Sequence, residues 1–245
     1  MIRLFRKIRH QLLSEDRFSI YLLYAAGEVV LVVIGILLAL QIDNWNDDRK
    51  LEKQNLSLVE SLKADLVEDT LLIDKHLKLL EQDIIQLNNF IRRMSSAEAN
   101  VDTLVQIARL EFTPWAFAQV TFNTNTFTSL RSTGNLSTLE RWLQKDILEL
   151  HELQQTNTRD VEVLIRSYND QITFFNQKYP FSGNEHIRPY SKLSNAIWNS
   201  AQFADLGALL NGLIAIKLVT EQYGMGQLKN IQEITKDIMK KLEEY

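Results

Sequence analysis

The chain has 245 residues, 45% hydrophobic and 24% charged, which excludes a disordered tail and a multi-span membrane protein alike. Eight Gly and three Pro are few for this length and speak against the many tight turns of a sandwich or barrel. With no Cys there is no disulfide, thiolate zinc site or Cys nucleophile, and a net charge of -4 leaves no basic footprint for nucleic acid.

Residues 1–19 form a basic arm, with Arg3, Arg6, Lys7, Arg9 and Arg17 against Glu15 and Asp16. Met1, Leu4, Phe5, Ile8 and Leu12 recur at helical spacing. Two readings stand side by side: an amphipathic helix lying on an anionic membrane surface, or a short tail that only supplies topogenic charge. The run Ile20–Ile42, IYLLYAAGEVVLVVIGILLALQI, then carries a single charge, Glu28. At about 1.5 Å per residue it is long enough to cross a hydrocarbon core of about 30 Å, and Tyr21, Tyr24 and Trp45 stand near its ends, where aromatic rings favour the headgroup layer. It is longer than the apolar region of a cleaved signal peptide and no small-x-small site follows it, so an uncleaved anchor is expected. The far flank opens with Asp43, Asn44, Asp47 and Asp48 before Arg49 and Lys50 appear. The Lys/Arg bias therefore predicts a cytoplasmic N-terminus, and residues 43–245 outside a bacterial inner membrane, in the periplasm.

Glu28 conflicts with its surroundings. An ionised carboxylate in hydrocarbon costs several kcal/mol, so it must be protonated, paired, or turned toward protein or water. It shares a helix face with Gly35 and Ala39, a small-xxx-small pair that lets a second helix approach closely. A helix–helix contact at Glu28, Gly35 and Ala39 is the favoured reading, a proton-linked role for Glu28 the lesser one.

The stretch Tyr21–Asn46, YLLYAAGEVVLVVIGILLALQIDNWN, resembles the opening block of an uncharacterised family of single-pass bacterial membrane proteins, a domain of unknown function from Gram-negative organisms. GE, VIGI, ALQI and NWN all fall in the matching places. Phe127–Leu136, FTSLRSTGNL, resembles a second, looser block. The resemblance implies a helical extracytoplasmic domain and no known activity.

Leu51–Met94 reads as one long helix. From Ile73 through Leu77, Leu80, Ile84, Leu87, Ile91 and Met94 the apolar spacing alternates 4 and 3, a heptad seam, with a stutter near residues 66–77 where Asp69 takes a position due to an apolar residue. Such a seam can zip against a second copy or pack within its own chain. A short helix, Val101–Leu110, should follow, then the aromatic stretch Phe112–Phe127. Its Phe112, Trp115, Phe117, Phe122 and Phe127 either line a ligand pocket or, as such residues more often do, cap a helical core. Asn125–Thr133 reads as a helix stopped by Gly134, and Ser137-Thr-Leu-Glu140 as a capping box opening a helix that Pro180 ends. Phe181–Tyr190 reads as a loop. A last helical region begins at Ser191 or Ala201 and runs to Leu242, with Gly224 and Gly226 as candidate kinks.

The expected fold is all-α: one transmembrane helix (20–42) followed by an extracytoplasmic, coiled-coil-like bundle of long antiparallel helices (43–245). No catalytic constellation stands out. His10, His76, His151 and His186 lie on separate elements without zinc-ligand spacing, and no phosphate loop, GxSxG or dinucleotide fingerprint occurs. The sequence thus predicts a non-enzymatic protein without cofactor or metal, acting through protein–protein contacts as a homo-oligomer or with another membrane or periplasmic protein. The alternatives are a stator-like subunit of a proton-coupled complex using Glu28, or a sensor-type bundle for a small ligand.

Overall fold

A computed structural model describes residues 18–181 and 191–244, with side chains from Leu22 onward. Residues 1–17 of the basic arm, with His10, and residues 182–190, with His186 and Pro189, lie outside the described residues. Within them every regular element is helical and no strand occurs: α1 (Phe18–Met94), α2 (Val101–Val105), a π-helical turn (Gln106–Glu111), α3 (Asn125–Thr133), a 3-10 turn (Asn135–Thr138), α4 (Arg141–Lys178), α5 (Lys192–Asn199) and α6 (Phe203–Glu243).

The chain divides after Ser57 into two units. In the first, every described side chain from Leu22 to Gln54 except Ala25 is exposed, which takes in most of the apolar run. This part of α1 is long and apolar enough to cross a membrane, and none of its most apolar stretch is buried. Helix α6 meets the same criterion of length and composition, but a third of its apolar stretch is buried and it carries core positions.

The second unit, from Leu58, holds two apolar clusters. One gathers Leu62–Leu80 of α1, Leu143–Val161 of α4 and Leu228–Leu242 of α6; the other gathers Leu87 and Phe90, Tyr168–Tyr179, Trp198 of α5 and Leu206–Ile214 of α6. Cross-links between the helices follow a regular order. Lys217, Gln232 and Thr70 bond to Asp83, Asp74 and Met239, so partners climb α1 as they descend α6. Asp205, Tyr223 and Lys241 likewise meet Lys178, Asp160 and Asp146 of α4.

The buried face of α1 corrects the expected stutter. The positions turned inward are 62, 66, 69, 73, 76, 80, 83, 87 and 90, an unbroken 4-3 alternation. Leu77, Ile91 and Met94 only flank it, and Ile84 packs against neither cluster. The seam looked interrupted because three successive positions of one heptad row hold polar residues: Asp69, His76 and Asp83.

Other boundaries also moved. The helix expected over Val101–Leu110 widens into a π-turn after Val105, closed by Phe112 N–H donating to Ile107 O at 2.8 Å. The capping box at Ser137–Glu140 does not form. Ser137 is taken up in the 3-10 turn, its hydroxyl donating to Gly134 O at 2.8 Å, and α4 begins only at Arg141, with Glu140 accepting from Trp142 Nε1 instead. Gly134 does stop α3, in the left-handed conformation at φ 77°. The final region is two helices separated at Ser200–Gln202. Helix α6 continues as one element through its glycines. Gly224 is there for space: a Cβ would lie 2.6 Å from Ala118 Cβ.

Candidate functional site

Residues 112–124, FTPWAFAQVTFNT, form no regular element. Pro114 lacks an N–H and biases Thr113 toward extended backbone, and the Thr, Phe and Val that follow are poor helix formers. A segment without a ladder must find partners for its main-chain groups elsewhere. Here they come from side chains of three helices, which hold the segment like a strap.

On α1, Asp83 bridges to Lys217 of α6 (Oδ1 and Oδ2 at 3.0 and 2.8 Å from Nζ) and Lys217 also donates to Thr113 O at 2.7 Å. Phe112 and Phe117 rings lie 5.2 and 5.9 Å from the same ammonium. Glu221 Oε1 accepts Phe117 N–H at 2.8 Å, while the carbonyl of Phe117 accepts from His76 Nδ1 at 2.9 Å, which places that ring's proton on Nδ1. Tyr168 of α4 donates to Pro114 O at 2.9 Å. At the other end, Asp69 Oδ1 accepts Asn123 N–H at 2.7 Å, and its second oxygen accepts from Gln154 of α4 at 3.0 Å. Asp65 accepts Thr126 N–H at 3.1 Å, placing a carboxylate at the start of α3, where Thr124 makes no side-chain cap. Asp65, Asp69, His76 and Asp83 thus form one row down α1, spaced 4, 7 and 7, that fastens the strap along its length.

Lys217, Thr220 and Glu221 have no exposed surface, and Asp83 retains 7%. Along each long helix they fall between the residues of the two apolar clusters, so the charges form a polar layer dividing the core. Burial pushes the Glu221 carboxyl up to about 7, against the pull of the Phe117 N–H, and the Asp83 charge adds to the rise. Asp83 is also raised by burial, drawn back by Lys217. Glu221 Oε2 is buried without a further partner, so a second full negative charge beside Asp83 is costly there even with Lys217 close to Asp83. Asp69 is lifted by burial to about 6, opposed by its bonds to Asn123 and Gln154. Burial also raises the Tyr168 phenol, which therefore stays a donor.

Beside the strap lies an open groove of ≈ 610 Å³. Gln119, Val120, Thr121 and Phe122 make one wall; Gln155, Thr158, Arg159 and Glu162 of α4 make the other.

The residues singled out in the sequence scatter. Glu28, Gly35 and Ala39 are exposed, nothing lies within 4 Å of a Cβ placed on Gly35, and Glu28 has no intrachain hydrogen bond or ion pair among the described residues. The five aromatic residues do not line one cavity. Phe112 is buried in the second cluster and Phe127 in the first, Phe117 and Phe122 pack against the first, and Trp115 is 71% exposed. His151 stacks on Phe127 at 3.9 Å. Among the described residues no group of three or more His, Asp or Glu is placed to hold a metal ion. Lys217 and Glu221 escaped sequence reading. Their signal was a Lys and a Glu at i and i+4 inside an otherwise apolar helix face, matched by Asp83 in the α1 row.

A family model for DUF6090, a family of unknown function, matches residues 28–157, more than half of the chain. The chain belongs to DUF6090. The match takes in Glu28, Gly35 and Ala39, the polar row of α1, the whole strap and the start of α4, while Lys217 and Glu221 lie beyond it. The resemblance carried by Tyr21–Asn46 and Phe127–Leu136 thereby finds its family. No curated protein and no solved structure matches the DUF6090 chain significantly.

Proposed function

We propose that this DUF6090 protein is a single-pass inner-membrane protein that acts without catalysis, by contact with other proteins, as a subunit of a membrane complex. In this reading residues 1–19 are cytoplasmic, 20–42 span the bilayer, and 43–245 form a periplasmic bundle of long antiparallel helices. The observation that carries it is the apolar run of α1, whose described side chains from Leu22 onward are exposed except for Ala25. The basic flank before the run and the acidic flank after it support the orientation. The inverse order of partners along α6 against α1 and α4 supports the bundle. Glu28, Gly35 and Ala39, all exposed, are the face offered to a second transmembrane helix.

The mass of the detergent-solubilised full chain tests the reading. A complex larger than one copy is expected, and a strict monomer that co-purifies with nothing overturns it. Protease added to intact spheroplasts should cut beyond Asp43.

A second reading, a stator-like subunit of a proton-coupled complex, draws on the lone charge of Glu28 in the apolar run, which has no partner among the described residues. It expects Glu28→Gln to abolish function with assembly intact. If the complex itself falls apart, the carboxyl serves the helix contact instead.

A further inference from the structure

The strap is fixed on both sides of a short free stretch. Upstream, Phe117 is held through its N–H by Glu221 and through its carbonyl by His76, and Ala118 sits against Gly224. Downstream, Asn123 N–H is held by Asp69. Between these anchors the chain alternates as a strand does: Ala118 and Val120 are buried, Gln119 and Thr121 exposed. An extended segment lying flat on a core carries its N–H and C=O groups along its edges, and those of Gln119, Val120, Thr121 and Phe122 make no hydrogen bond among the described residues. The same four residues form a wall of the ≈ 610 Å³ groove. A strand edge with unspent main-chain groups, clamped at both ends beside an open groove, is a template for an added strand.

We infer that this groove binds an extended polypeptide segment of a partner protein, which pairs its main chain with Gln119–Phe122 while its alternate side chains rest against Gln155, Thr158, Arg159 and Glu162 of α4. The stretch is about 13 Å long, at about 3.3 Å per residue, and so engages about four residues of the partner. Specificity falls to the α4 wall, which offers an amide, a hydroxyl and one charge of each sign. Because the clamps hold the edge in place beforehand, little ordering is needed on binding. The inference rests on the contact-making role proposed above and names one of its surfaces.

The probe is an unbiased library of unstructured peptides displayed on phage, panned against the full chain in detergent micelles, with the selected sequences made synthetically. Amide hydrogen exchange at Gln119–Phe122 should be fast in the free protein and slowed at least about tenfold with peptide bound. Thr121→Pro removes an edge N–H while tolerating extended backbone, and should weaken binding at least about tenfold; Thr121→Val should leave it unchanged. Should Thr121→Pro fail to fold, Gln155→Trp, on the exposed face of α4, fills the groove from the other wall and should abolish binding with the melting temperature kept. The inference is overturned if no peptide is selected, if the selected peptides protect other amides, if both variants bind as the parent does, or if Gln119–Phe122 are already protected in the free protein. Any of these with the solubilised chain still in a larger complex leaves the contact-making role standing. A strict monomer that nevertheless binds peptide at Gln119–Phe122 counts against that role alone.

Discussion

Between Leu22 and Gln54 the apolar side chains face outward, Leu23 at 77% and Leu31 at 73% exposure, whereas in the second unit Lys217 and Glu221 have none. Each region inverts the usual partition of apolar inside and charged outside, for opposite reasons. The apolar rod is exposed along its described length, and its own side chains make no core there. The buried charges are stabilised wholly from within, by each other and by a strap whose main chain they satisfy. Exposure therefore points to the environment of the first region, and burial to the internal bonding of the second.

The comparison breaks most easily at Lys217. Lys217→Met leaves Asp83 and Glu221 buried without their cation, and should cost about 3–5 kcal/mol in the unfolding free energy of the second unit. The double variant Lys217→Met with Asp83→Leu should recover most of that loss in chemical denaturation. In the rod, Leu31→Asp should cost about 3 kcal/mol of membrane insertion, seen as loss of protein from the membrane fraction, and leave the melting of the second unit unchanged. The opposite result, a lowered melting temperature with insertion intact, would erase the distinction between the two regions.

Acid titration sharpens the same contrast. The Glu221 carboxyl titrates near 7 when folded against an ordinary 4.5, so below about 4.5 it is protonated in both states and its contribution is fully present. As pH rises through 7 the native protein must surrender a proton the unfolded chain has already lost, and that contribution, about 3 kcal/mol, disappears. Asp69 behaves alike between an ordinary 3.8 and about 6. Stability of the second unit should therefore fall from pH 4.5 to 7, and Glu221→Gln should flatten the profile; a rising profile would refute the buried acid pair. Smallest is the glycine pair. Gly224→Ala drives a methyl into Ala118 and should cost about 1–2 kcal/mol even after the gain in helix propensity. Gly226→Ala meets nothing within 4 Å and should add up to about 1 kcal/mol, both read from denaturant midpoints.

Local signals carried their elements well. Gly134 ends α3, and α4 ends at Lys178 just before Pro180. Where the outcome depended on distant partners, sequence reading fell short. Asp69 looked like a break in the seam, and His76 and Asp83 were passed over for Leu77 and Ile84, because the residues that make the three welcome inside, Gln154, Phe117 and Lys217, lie far along the chain. The close packing that Gly224 allows was invisible because Ala118, the neighbour it meets, is likewise remote. Ser137 and Glu140 had the right spacing for a cap, but a tighter turn claimed the hydroxyl first. The strap itself was visible only as an aromatic stretch, since its anchors are side chains of other elements.

Helices built on repeated leucine and isoleucine can slide past one another by seven residues and still find an apolar match. The Lys217–Asp83 bridge removes that freedom. Shifted one repeat, Asp83 would meet Leu210 or Gly224 and sit as a bare charge in a greasy seam, so only one alignment of α1 with α6 survives. Two charges thus act as an alignment key for more than a hundred intervening residues.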